Sequence, residues 1–213
     1  MKKGLIVAAG SPVSPELLRK LSAESCRVVA VDGGYRHCRA AGIHPDCLWG
    51  DMDSLHPELL AGAAAEGVKV ERIPCEKDDT DTLYALRRLQ EEGMKAVDIV
   101  CALGGRLDHL AANLQTLLYA AHTGTACRLV DDGAIAEALL PGEHLLQQEG
   151  FPIFSLFSLG ERCEGVTIRG AKYPLSDYCM KNDFPIGVSN AFLEMQAQVS
   201  FRSGALLLIR SRE

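Results

Sequence analysis

Between residues 4 and 133, short apolar, β-branched runs alternate with longer stretches in which apolar side chains recur every three or four positions. The runs at 5–9, 27–31, 47–49, 68–73, 97–103 and 127–130 each end near Gly, Asp or Pro, and the spacing predicts strands there. Leu83, Leu86 and Leu89 share one face of a helix predicted over 79–92. Leu110, Leu114, Leu117, Leu118 and Ala121 do the same over 108–122, with Gly93 and Gly124 as C-terminal stops. Strands alternating with helices predict a mostly parallel sheet covered by helices, a three-layer α/β domain.

After Ala134 the helical period fades, and from Phe151 onward short apolar runs are separated by Gly, Pro, Asn and Asp, as in an antiparallel β unit. Its clearest strand alternates Leu193, Met195, Ala197, Val199 and Phe201 with Glu194, Gln196, Gln198 and Ser200, one face toward a core and one toward solvent. Arg202-Ser203-Gly204 then turns the chain into a second apolar run at 205–209. The expected organisation is an α/β domain over 1–133 and a β domain over 134–213.

Composition narrows the class. The chain has 213 residues, 47% of them hydrophobic and 23% charged, which suits a folded globular protein. A formal charge of −6 provides no basic footprint for nucleic acid or an anionic membrane surface. No apolar run approaches the roughly 20 residues that span a bilayer. The basic start Met1-Lys2-Lys3 leads into a run broken at Gly10, Ser11 and Pro12, so no secretory signal is expected. The eight cysteines stand singly, without Cys-x-x-Cys pairs, and are expected to be free thiols in a reducing cytoplasm.

In open parallel sheets ligands bind at the carboxyl ends of strands. There the sequence places Asp32-Gly33-Gly34, then Gly50-Asp51-Met52-Asp53-Ser54, then Lys77-Asp78-Asp79-Thr80-Asp81, and finally Gly104-Gly105-Arg106-Leu107-Asp108-His109. Carboxylates gathered at one sheet edge repel one another unless a cation lies among them, and hard oxygen ligands suit Mg2+. Because Mg2+ completes its shell with water and substrate phosphates, a nucleotide is the natural partner, its phosphates held by Lys77 and Arg106.

Structural roles compete at each motif. Asp79 or Thr80 can cap a helix with Asp81 in its first turn. The glycine pairs can be ordinary turns, and Trp49, ending an apolar strand, reads as a sheet anchor. Gly50-Asp51-Met52-Asp53-Ser54 is more specific, because a turn needs only one of its acids. A Gly-x-x-x-x-Gly-Lys-Ser/Thr loop is absent, and Val7-Ala8-Ala9-Gly10-Ser11 lacks dinucleotide-fingerprint spacing.

In order and spacing these four motifs resemble the series found in thiamine pyrophosphokinases. Gly170-Ala171-Lys172-Tyr173-Pro174-Leu175 and Val188-Ser189-Asn190 are similar to that family's C-terminal thiamine-contacting segments, so the resemblance covers nearly the whole chain. It implies an α/β domain binding MgATP, a C-terminal β-sandwich-like domain, and a homodimer with the substrate site at the subunit interface. The implied reaction moves the pyrophosphoryl group of ATP to the hydroxyl of thiamine, giving thiamine diphosphate and AMP. By the same resemblance Asp51, Asp53 and Asp81 hold the metal with Asp32 beside them, and Lys77, Arg106 and His109 lie near the phosphates. Asp108 lies near the substrate hydroxyl, with Asp53 competing to take its proton, and Tyr173, Ser189 and Asn190 contact thiamine. The family often has an acid where Ala191 stands and Trp where Tyr173 stands. Two other readings remain: a metal-dependent pyrophosphokinase or kinase of another small alcohol, and a non-catalytic thiamine- or nucleotide-binding regulator.

Overall fold

The computed structural model describes residues 2–51, 57–73 and 79–212. The chain divides into two compact units, Met1–Asp132 and Gly133–Glu213. In the first, strands and helices alternate: β1 (Lys3–Val7), α1 (Pro15–Ala23), β2 (Arg27–Val31), α2 (Gly34–Ala40), β3 (Cys47–Gly50), α3 (Pro57–Ala65), β4 (Lys69–Arg72), α4 (Asp81–Glu91), β5 (Ala96–Val100), α5 (Leu107–His122) and β6 (Ala126–Val130). The strands lie in the order β6-β5-β1-β2-β3-β4, and every pairing is parallel.

Central strands buried on both faces need continuous apolar runs. Leu5, Ile6, Val7, Val29, Ala30, Val97, Ile99 and Val100 accordingly have almost no exposed surface. Asp98 is the exception on β5. It is 2% exposed and is matched by Lys3 Nζ at 2.8 Å and by a two-pronged Arg128 at 2.8 and 2.9 Å, the pairing a buried carboxylate requires.

The helices differ in one respect from the periodicity. In α5 the most buried positions are Asn113, Thr116, Leu117 and Ala120, while Leu110, Leu114, Leu118 and Ala121 are half-buried. Small and polar residues occupy the closest approach because Asn113 Nδ2 donates to the Ala102 carbonyl at 2.9 Å and Thr116 Oγ1 donates back to Ala112 at 3.0 Å. In α4, Leu86 and Leu89 are buried as the spacing predicts. Trp49 is the expected anchor: it is buried, edge-on to Tyr84 at 6.2 Å, with the Arg88 guanidinium 5.5 Å above its ring.

The second unit holds β7 (Ala134–Leu139), β8 (Gly142–Gln147), β9 (Ile153–Ser158), β10 (Arg162–Arg169), β11 (Leu175–Lys181), β12 (Asn190–Ala191), β13 (Gln196–Phe201) and β14 (Leu206–Ser211). Two antiparallel sets, β12-β9-β14-β7 and β11-β10-β13-β8, enclose a core including Phe154, Leu156, Val166, Ile168, Phe201, Leu206 and Leu208. Strand β13 begins at Gln196, where its partner β8 ends at Gln147. Residues 193–195 form a bend instead of the expected strand start, and Leu193 and Met195 stay exposed although they continue the alternation of Ala197, Val199 and Phe201.

Among the described residues no helix is long and apolar enough to cross a membrane. The described cysteines are all free. Burial pushes the Cys38 and Cys127 thiols up to about 12, so neither carries the thiolate that reacts. Alkylation of the folded protein at pH 8 is therefore expected to mark exposed Cys26 and Cys179 and to spare Cys38 and Cys127 until denaturant is added. Mass mapping of the labelled peptides checks this, and prompt labelling of Cys127 would contradict it.

Candidate active site

Strand β1 pairs with β2 on one side and β5 on the other, so the chain winds in opposite senses from this point. A crevice opens at the carboxyl ends of strands at such a reversal. Here it is a cavity of about 790 Å3. Its wall is built from the turns after these strands: Ala8 to Ser11 after β1, Asp32 after β2, Asp51 after β3, and Cys101, Ala102 and Gly104 to Arg106 after β5. Thr80 to Thr82 at the start of α4 and His109, Ala112 and Asn113 of α5 complete it.

Asp32, Asp51 and Asp81 are half-buried and line this one cavity. Asp32 sits in the left-handed region at φ 44°, held by its amide donating to the Trp49 carbonyl at 2.9 Å and its carbonyl accepting from Tyr35. Gly50, the last residue of β3, lies against the Asp32 carboxylate so closely that a β-carbon there would overlap carboxylate Oδ1. Thr80 is the N-cap of α4, its hydroxyl accepting from the Leu83 amide at 3.2 Å. Asp79 pairs with Arg87 at 2.7 Å. The capping reading of this segment therefore holds for Thr80, while Asp81, one residue on, also faces the cavity. Asp53 and Lys77 lie outside the described residues.

Opposite the acids, Gly104 and Gly105 both take positive φ, 86° and 81°, and lead into α5. The helix starts at Arg106, whose side chain makes no capping bond; the His109 amide donates to Asp108 Oδ1 at 3.0 Å, so the amides ahead of it are the ones left for an anion. Arg106 and His109 line the cavity. Asp108 is not among the lining residues. It is exposed and pairs with Arg106, Oδ2 to Nη2 at 2.5 Å. The hydrogen-bonded Arg106 guanidinium, helped by the His109 amide, holds the Asp108 carboxyl at about 2, so it is ionised at neutral pH and a weak proton acceptor.

The turn after β1 also forms cavity wall, through Ala8, Ala9, Gly10 and Ser11. Gly10 donates its amide to the Cys101 carbonyl at 2.8 Å and accepts at its own carbonyl from the ring of His37, whose Nε2 is 3.0 Å away. Its signal was present: small residues directly after a buried strand, where the strand-end rule applies as it does after β2 to β5. Asn113, two turns into α5, carries no local signal.

In the second unit, Tyr173 is 56% exposed, with Lys172 Nζ 5.4 Å from its ring centroid. Ser189 is exposed and takes φ 56°, its amide donating to Ser155 Oγ at 3.0 Å. Asn190 is buried at 5% exposure, and its side chain faces the Tyr173 backbone.

Among the described residues no three of His, Cys, Asp and Glu are grouped closely enough to hold an ion by themselves. Mg2+ needs only one or two carboxylates, and the donors that line the cavity, Asp32, Asp51 and Asp81, are hard oxygens, so the set fits that ion.

A doubly wound parallel sheet with an acidic cavity at its reversal point, followed by a unit of two antiparallel sheets, defines a two-domain α/β protein. Residues 18–129 match the family described as "Thiamin pyrophosphokinase, catalytic domain", and residues 143–206 match "Thiamin pyrophosphokinase, vitamin B1 binding domain". The chain belongs to the thiamin pyrophosphokinase family. It is 28% identical to the thiamine pyrophosphokinase of Bacillus subtilis (strain 168), covering 99% of this chain and 100% of that one. It is 32% identical to thiamine pyrophosphokinase 2 of Oryza sativa subsp. japonica over 75% of this chain and 62% of the other. The crystal structure of thiamin pyrophosphokinase from Geobacillus thermodenitrificans superposes with a TM-score of 0.88 at 28% identity, covering 100% of this chain and 98% of that one.

Proposed function

We infer that this chain transfers the β,γ-pyrophosphoryl group of ATP to the hydroxyl of thiamine. The hydroxyl oxygen attacks the β-phosphorus, the bond from that phosphorus to the α-bridging oxygen breaks, and AMP leaves as thiamine diphosphate forms and the hydroxyl proton is lost. The observation that carries the reading is the match to both family domains in order, with Asp32, Asp51, Asp81, Arg106 and His109 around one cavity. The α/β domain, 1–133, is proposed to hold ATP, and the β domain, 134–213, to hold thiamine.

Transfer of this kind needs positioning and charge neutralisation more than covalent help. Asp51, Asp53 and Asp81, with Asp32, are proposed to hold Mg2+, which when bound neutralises charge on the transferring phosphates. Lys77, Arg106 and His109 are proposed phosphate contacts, with the uncapped start of α5 offering backbone N–H groups to the same anion. For Asp108, the pairing with Arg106 favours orienting that guanidinium over accepting the hydroxyl proton, which leaves Asp53 the better candidate for the proton.

Thiamine carries a permanent cationic ring, which suits an aromatic face. Tyr173 is the proposed wall, with Ser189 and Asn190 beside it. The second unit exposes Tyr173, Phe184, Ile186, Val188, Leu193 and Met195, an apolar load that supports a homodimer with the substrate site at the subunit interface.

Incubation with ATP, Mg2+ and thiamine is expected to produce AMP and thiamine diphosphate in equal amounts by mass spectrometry, and no AMP without thiamine. AMP formed equally in its absence would refute the acceptor. Tyr173→Ala is expected to raise the thiamine KM about tenfold, the equivalent of roughly 1.4 kcal/mol of ring contact, with the ATP KM unchanged. Equal rises in both would remove the ring from the thiamine site.

A further inference from the structure

We propose that Asn190 sets thiamine affinity by holding the Tyr173 backbone, as a positioning residue that does not itself touch thiamine. The proposal rests on the reading of Tyr173 as the thiamine wall. Asn190 Oδ1 accepts from the Tyr173 amide at 2.9 Å and from the Ala191 amide at 2.9 Å, and Nδ2 donates to the Tyr173 carbonyl at 2.8 Å. Both lone-pair sites of the amide oxygen are engaged, and one N–H is as well. A substrate contact through that oxygen would have to displace a buried bond.

The two bonds to Tyr173 reproduce what a neighbouring strand would provide, one acceptor and one donor facing the N–H and C=O of a single residue. Among the described residues no strand does so at that position. Strand β10 ends at Arg169 and β11 starts at Leu175. The intervening segment is tied at Lys172, whose amide donates to the Ala191 carbonyl at 2.9 Å, and by the Ala171–Phe192 bridge. Asn190 is anchored on the other side, where β12 pairs Asn190 with Phe154, and Phe192 packs on Phe154 at 4.8 Å. The carboxamide therefore transmits the rigidity of the β9 core to a residue that is more than half exposed. A short clamp of this kind supplies preorganisation, which lowers the cost of ordering the ring when ligand binds.

Only a carboxamide of this length offers both donor and acceptor. Asn190→Ala removes all three bonds. Asn190→Asp keeps an acceptor for the two amides but loses the donor to the Tyr173 carbonyl and sets a carboxylate oxygen against it; melting of each variant is the folding control. The test combines amide hydrogen exchange with a double-mutant cycle. Exchange at the Tyr173 amide is expected to speed up in Asn190→Ala and to stay slow in Asn190→Asp. In kinetics, Asn190→Ala is expected to raise the thiamine KM about fivefold, with kcat and the ATP KM unchanged, and to add nothing once Tyr173 is Ala.

Additive effects in the double variant would mean that Asn190 contacts thiamine directly and would overturn the proposal while leaving the ring's role intact. Unchanged exchange at Tyr173 in Asn190→Ala would overturn it as well. If Tyr173→Ala alone leaves the thiamine KM at its original value, the wall reading falls instead, and the exchange measurement still decides the clamp.

Discussion

Asp51→Asn is expected to lower kcat about 1,000-fold while the protein melts within a few degrees of the parent. Asp51 follows β3 directly, is half-buried, and faces the same cavity as Asp32 and Asp81. Asparagine matches it in size and removes one negative charge, so packing around Gly50 and Trp49 is preserved while the proposed cation-binding set loses a ligand. A loss of about 4 kcal/mol in transition-state charge stabilisation corresponds to roughly three powers of ten. Steady-state kinetics at several Mg2+ concentrations check this, with the Mg2+ needed for half-maximal rate moving upward. Wild-type turnover in the variant would place the metal ligands elsewhere.

The second large effect comes from a residue with no side chain. Gly50→Ala is expected to reduce kcat about 100-fold and to cost roughly 1–3 kcal/mol of stability, because the new methyl group occupies the position of the Asp32 carboxylate. Asp32 cannot simply retreat, since its amide is bonded to the Trp49 carbonyl and its backbone is already in the left-handed region. The carboxylate must rotate out of the cavity wall. A double variant separates this from general damage: in an Asp32→Ala background the overlap with the carboxylate is gone, and Gly50→Ala is expected to cost much less further activity than in the parent, what remains being the strain of a side chain at that backbone conformation. Two full, additive losses would show that Gly50 acts on something other than Asp32.

The acids that line the cavity were legible because a parallel sheet repeats one rule at its strand ends, and this chain places Asp or Gly near the ends of β1 to β5. Asp32, Asp51, Asp81, Arg106 and His109 follow directly from it. What escaped depends on contacts between distant segments. Asn113 works by reaching the Ala102 carbonyl from two turns into a helix whose leucines suggest a different buried face. Leu193 and Met195 have the alternation of a buried strand, yet the chain bends there because the partner strand β8 has ended. Asn190 shows the same limit in the second unit. Ser-Asn reads locally as a turn or a ligand contact, and only the placement of Tyr173 opposite reveals the buried amide as a substitute for a strand.

The most direct test of the central claim follows both terminal phosphates together. The purified protein is incubated with Mg2+, thiamine and ATP labelled at the β- and γ-phosphates, and the products are separated. Transfer of an intact pyrophosphoryl group predicts both labels in thiamine diphosphate in equal amounts, with unlabelled AMP matching it mole for mole. Labelled ADP together with thiamine monophosphate carrying only the γ label would contradict the account, since attack would then fall on the terminal phosphorus.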